Sequence, residues 1–249
     1  FCHKILIVFC HFSSISCDCR SFFPALAAEK ASAAVLKRIV RIGLPGAFAM
    51  LNETAAFALI ALIVSPLGVT PVAGHQIAIN VSAFVWMCPF SIGSAATIRV
   101  GTLLGAGDVE GSKRARLTAL TITLIMACVL AVLIYLVRHP VSALYTEDQA
   151  VIQMASLLLI CEVFYQFPDG VQTNTLCALR GWNDTRAIFC ISFIAYWVVS
   201  LPLGWVLCMT DWMTEKPLGV LGFWVALIVG LSVAAVLYLL RIHKLEHLS

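Results

Sequence analysis

The chain has 249 residues, 61% of them hydrophobic and only 12% charged, with a formal net charge of +3 and a mean hydropathy of +0.97. A soluble domain carries about twice that charged fraction, so there is too little polar surface to cover a water-soluble globule. The composition therefore points to an integral membrane protein and offers nothing to a nucleic-acid partner.

Taken in chain order, residues 1–35 are atypical. The apolar run Ile5–Phe9 is too short to span, and His11, Asp18 and Arg20 interrupt the residues after it. Ala25-Leu26-Ala27 has the small-x-small form of a signal-peptide cleavage site, but the broken apolar region argues against that reading. A junction or truncation is expected instead, with residues 36–249 as the folded unit. Six long, nearly charge-free segments come next, at about 42–65, 72–98, 116–137, 150–179, 187–210 and 217–240. Each reaches the ~20 residues needed to cross ~30 Å of hydrocarbon. A bilayer leaves backbone groups no water, so spans of this length are helices. Shorter alternating segments, as a β-barrel needs, are missing from the sequence. The expected fold is all-α, a polytopic bundle of six transmembrane helices.

The loops orient the bundle. Lys37, Arg38, Arg41, Arg99, Lys113, Arg114, Arg116, Arg180, Arg186, Arg241 and Lys244 fall on one side, and Arg138 and Lys216 on the other. Eleven against two places the first side, and both ends of the bundle, in the cytoplasm. An inner (plasma) membrane location is expected. The ten cysteines show no zinc spacing, since Cys17-x-Cys19 has no second pair, and those inside spans are small apolar fillers.

Three acids lie within the spans. Glu53 is at the middle of LPGAFAMLNETAAFALIALIV, and Glu162 and Asp169 flank the middle of the fourth segment in CEVFYQFPDGVQTNTLCALRG. A charge at mid-bilayer costs about 2.5–3.5 kcal/mol on insertion scales, so such residues face a cavity or a partner. By sequence position no Lys or Arg shares their depth. They are uncharged, share a proton or hold a cation from outside; packing against a neighbouring helix is the alternative use. Glu162, Tyr165, Gln166, Asp169, and Gln172 or Thr173 follow the 3-4 rhythm of one helix face. Pro168 removes an N–H and frees the carbonyl of Phe164, so a broken helix offering oxygen ligands is expected. Asp108 or Asn183 is expected to cap the helix after its loop. His75 is expected to make an interhelical hydrogen bond, and Pro89 and Pro202 to kink their spans. Phe57, Phe84, Trp86 and Phe164 are candidate walls of a substrate cavity.

Two cytoplasmic loops carry a recognisable pattern, SIGSAATIRVGTLLGAGD after the second span and LRGWNDTRAIF, leading into FIAYWVVSLPLGWVL, after the fourth. With RIGLPGAFAMLNETAAF, AGHQIAINVSAF, LYTEDQ and PLGVLGFWVALIVGLS, the chain from about residue 36 to 245 resembles the multidrug and toxic compound extrusion (MATE) transporters, in particular the NorM-like branch. The resemblance implies one lobe, helices seven to twelve, of a twelve-helix protein that exports amphipathic organic cations in exchange for Na⁺ or H⁺, with no other cofactor. It implies a cation site at Glu53, Tyr165 and Asp169, with Na⁺ a candidate occupant at Glu53 and Asp169. Glu162, Gln166 and Thr173 remain accessory polar positions on physical grounds alone. The expected partners are the bilayer, cationic drug-like molecules, and a first six-helix lobe in the same longer chain or a second copy. Two alternatives stand beside a coupled antiporter: a truncated lobe or gene remnant that does not transport, and an intramembrane enzyme using Glu162 and Asp169 as an acid–base pair. The second is weakened because a heptad separates those acids by about 10 Å along the helix.

Overall fold

A computed structural model describes residues 33–211 and 217–248, so the expectations for residues 1–32 and for Lys216 lie outside the described residues. The chain divides into a unit of residues 1–41 and one of residues 42–249. The helical bundle is the second unit, apart from the opening turns of its first helix.

Among the described residues, six helices are long and apolar enough to cross a membrane. They are α1 (Ala33–Val64), α2 (Val69–Gly105), α3 (Val109–Ala143), α4 (Gln149–Gly181), α5 (Thr185–Met209) and α6 (Val220–Leu248). No strand occurs among the described residues. Most of the helices outrun the apolar segments that mark them. Apolarity reports the thickness of hydrocarbon, whereas a helix ends where its last carbonyls and first N–H groups find other partners.

Those partners are visible at the turns after α2 and α4. After α2, Gly107 takes a left-handed conformation at φ 79°. Gly107 N–H donates to Leu104 O and Asp108 N–H to Leu103 O, the paired closure of a Schellman turn. Asp108 then caps α3 by accepting from Gly111 N–H. The turn after α4 repeats the device: Asn183 is left-handed at φ 63°, Asn183 N–H donates to Arg180 O and Asp184 N–H to Leu179 O. Asp184 caps α5 through Ala187 N–H. The expectation for Asn183 is thereby corrected, because asparagine is spent on the positive φ and the next residue caps.

Two further expectations change. Pro168 does not break α4, which remains a continuous α-helix from Gln149 to Gly181. The irregularity lies in α5 instead, where Ile194–Ser200 is π-helical between α-helical Thr185–Phe193 and Leu201–Met209. Pro202 starts that last segment, where its missing N–H is least costly.

The inside of the bundle is formed by α4 and α6. Half of the apolar window of α4 and 56% of that of α6 is buried, against 22% for α1 and α3. Close approach explains how α6 gets there. A Cβ on Gly222 would sit 2.7–2.8 Å from the α5 backbone at Leu207 and Cys208, and one on Gly204 would meet the Phe223 ring. Within the core, His75 Nδ1 accepts from Trp224 Nε1 at 3.3 Å, the interhelical bond expected of it.

A candidate cation site between α1, α2 and α4

A cavity of about 360 Å³ opens between α1, α2 and α4. Glu53 and Phe57 reach it from α1, Ser82 and Trp86 from α2, and Tyr165, Asp169 and Thr173 from α4. Helical spacing accounts for the α4 contribution, since positions 165, 169 and 173 lie one turn apart on one face.

Each acid has a distinct setting. Glu53 is held by a phenol: Tyr196 O–H donates to Glu53 Oε1 at 2.8 Å, and Tyr196 oxygen accepts from Gln172 Nε2 at 3.3 Å. Gln172, Tyr196 and Glu53 thus form a chain from α4 through the π-helical part of α5 to α1. Asp169 is 5% exposed, faces the cavity and receives no hydrogen bond among the described residues. Its charged neighbours are Glu53 and Glu162, both of like charge. Trp86 Nε1 donates to Thr173 Oγ1 at 3.3 Å, fixing the wall opposite Glu53.

The cavity also holds a cation that sequence position had assigned to a loop. Arg180, on the last turn of α4, lines it and acts electrostatically on Glu53. None of the ion pairs among the described residues involves Arg180. The acids are therefore not without a cation in reach, although none sits on Asp169.

The candidate residues separate into two groups. Glu53, Tyr165, Asp169, Thr173, Phe57 and Trp86 share the cavity. Glu162 and Gln166 are buried at 1% and 5% exposure but lie behind its wall. Phe84 and Phe164 are 80% and 61% exposed on the outside of the bundle and do not line the cavity, because an aromatic ring meets lipid at no solvation cost and need not point inward. Tyr196 was not singled out by sequence, whereas Gln172, offered there as the alternative to Thr173, lines the cavity as well. A signal existed: Ser192, Tyr196 and Ser200 recur every four residues through an otherwise apolar span, and all three are buried.

No cluster of three or more His, Cys, Asp or Glu side chains suited to a metal gathers among the described residues. Two carboxylates with phenol and hydroxyl oxygens nearby are instead a hard, all-oxygen set, which suits hard cations better than zinc.

Residues 45–206 match the family model described as MatE. The chain belongs to the MatE family. Among curated relatives, it is 46% identical over 214 residues to the multidrug resistance protein NorM of Vibrio cholerae, covering 86% of this chain and 47% of that protein. It is 45% identical over 212 residues to the multidrug resistance protein MdtK of Pectobacterium atrosepticum, covering 85% and 46%. The chain thus spans about half the length of the curated relatives it matches. Its fold is that of half a MATE transporter: it superposes on an outward-facing multidrug resistance MATE family transporter with a TM-score of 0.79 at 19% identity, covering 88% of this chain and 48% of the other. A MATE in the bent conformation gives 0.78 at 19% identity, covering 89% and 48%. The MatE chain is an integral membrane protein, and the family is one of transporters, not enzymes, so the acid–base alternative for Glu162 and Asp169 is set aside.

Proposed function

We propose that this MatE chain is the second-lobe portion of a cation-coupled multidrug antiporter, and that Glu53, Tyr165 and Asp169 bind the coupling ion, Na⁺ or H⁺. One observation carries the reading: Asp169 presents a buried carboxylate to a cavity, beside a second carboxylate, with no donor or cation set against it among the described residues. Such a group is stable as an acceptor of something that arrives from outside.

The mechanism follows from electrostatics. Two like charges at one low-dielectric site repel, and a bound monovalent cation or a proton relieves that repulsion. If α1, α4 and α5 pack differently with the site filled and empty, the ion has different affinity for the two arrangements and so shifts their balance. Glu53 is the better placed reporter, because Tyr196 ties it to the π-helical segment of α5. Amphipathic organic cations are the proposed substrates, taken into the space between this lobe and a first six-helix lobe, or a second copy. Both ends of the bundle are proposed to face the cytoplasm of an inner-membrane protein, on the strength of the asymmetry of Lys and Arg between its two sides.

The decisive test joins this chain to the first lobe of a relative and measures drug efflux driven by an imposed Na⁺ or H⁺ gradient. Asp169→Asn should abolish the response to the ion gradient while the protein still reaches the membrane. Unchanged ion-driven efflux by that variant overturns the site.

A further inference from the structure

The polar face of α4 continues beyond the cavity to Glu162 and Gln166, and these two residues present a matched defect. Glu162 Oε2 and Gln166 Oε1 are both fully buried and have no hydrogen-bond partner. They belong to residues four apart on one helix, so their side chains are neighbours. The Gln166 amide is oriented with Nε2 toward Val163 O at 3.5 Å, which leaves its oxygen as the orphan. When the acid is ionised both oxygens are acceptors, and neither has a donor. A single proton on Oε2 turns one of them into a donor and satisfies both.

No cation among the described residues does this in its place. The ion pairs among the described residues lie elsewhere, and the charged group acting on Glu162 is Asp169, of like sign. The other titratable groups around it are Cys161 and Tyr165 on α4, with Glu53 of α1 acting on that same Tyr165. From α2 comes the Ser82 hydroxyl, hydrogen-bonded to Glu162, while His75 of the same helix is engaged by Trp224 of α6. Ser82 also lines the cavity. A hydroxyl both donates and accepts, so Ser82 connects the hidden acid to the open space.

We propose that Glu162 is a second protonation site of the lobe, separate from Glu53 and Asp169, whose proton bridges to Gln166 and exchanges with the cavity through Ser82. Exchange conserves protons: when the carboxyl turns to aim its proton at Ser82, the hydroxyl oxygen accepts it as the hydroxyl releases its own proton to water in the cavity, and the reverse step reloads the acid. The site does not depend on the cation reading of the first pair, and it commits to a proton as occupant.

Infrared spectroscopy of the intact chain in lipid bilayers tests this. In a Glu53→Gln/Asp169→Asn background at neutral pH, a protonated-carboxyl C=O band should remain, and adding Glu162→Gln should remove it. Gln166→Leu should shift the same band in a chain that keeps Glu162, which serves if the Gln variant does not fold. On transfer to D₂O, Ser82→Ala should slow the deuterium shift of the band at least tenfold. A band indifferent to both Glu162→Gln and Gln166→Leu means an ionised Glu162 and overturns the proposal. So does a band that vanishes when NaCl is added at fixed pH, which would make Na⁺ the occupant. Failure of the first site would appear as a Na⁺ response that persists in the Glu53 and Asp169 variants, and would leave this band in place.

Discussion

A single hydroxyl does much to define Glu53. Tyr196 is 1% exposed, its ring packs against Phe57 with centroids 6.0 Å apart, and Gln172 holds its oxygen from the other side. The phenol proton therefore has one place to go, Glu53 Oε1. A hydrogen bond to a charged group contributes about 1.5–3 kcal/mol, which is one to two powers of ten in an equilibrium constant. Tyr196→Phe keeps the packing and removes only that donor, so Na⁺ affinity should fall by about tenfold or more. Titration of Trp86 fluorescence in the intact chain measures this, since that indole lines the same cavity. Tyr135→Phe, at a half-exposed ring on α3, should leave the titration unchanged. Acids such as Glu53 and Asp169 were legible in the sequence because a carboxylate in hydrocarbon is too costly to be incidental. Tyr196 was not, because a tyrosine in an apolar span reads equally well as filler until its oxygen is seen to face an acid. Phe84 and Phe164 erred the other way: aromatic rings in a membrane carry no signal for inside or outside.

At the scale of elements, the six helices were legible from length and apolarity alone, and the turns from their glycines and acids. What hydropathy could not locate was the break in regularity. Pro168 suggested α4, yet a proline within a helix surrounded by neighbours can keep its α-helical path, while the π-helical stretch of α5 contains Ile194-Ala195-Tyr196-Trp197 with no breaker at all. The packing of α5 on α6 was equally silent, because a glycine reveals close approach only once both helices are placed. Gly222 is the clearest case. Its missing Cβ would lie 2.7–2.8 Å from backbone atoms of Leu207 and Cys208, and backbone yields less readily than a side-chain tip. Gly222→Ala should therefore lower stability by about 1–3 kcal/mol, the usual cost of overpacking. Gly105→Ala, with nothing within 4 Å of the new methyl, should not. Thermal unfolding of the two variants in the same detergent compares them directly; equal midpoints would mean that α5 and α6 do not meet so closely.

Across the whole bundle, one end is tied by charge where the middle is tied by shape. Arg116 near the start of α3 meets Glu246 near the end of α6, with Nε to Oε1 at 2.8 Å and an Nη2 contact to Oε2 at 3.0 Å. Both side chains are nearly inaccessible, at 8% and 3%, so this is a two-pronged buried pair joining residues 130 apart in sequence. A second pair, Arg241 with Asp184 at 2.7 Å, ties the same end of α6 to the cap of α5, though it is more exposed. Burial decides how the first pair behaves when altered. Removing one partner strands a desolvated charge, which costs about 3–5 kcal/mol, whereas replacing both by apolar groups is often neutral. Arg116→Met alone and Glu246→Leu alone should each destabilise the chain strongly, and the double variant should recover most of the loss. A double-mutant cycle on thermal unfolding reads the coupling directly. The two alterations simply adding would mean that the pair is solvated and contributes little. A recovered double variant would also permit a sharper question. If α6 must slide at this end when the ion site fills, the apolar replacement removes a fixed anchor without unfolding the lobe, and Na⁺ affinity should change even though Glu53 and Asp169 are untouched. If the end is static, stability alone responds and the Na⁺ titration of the double variant overlays that of the parent.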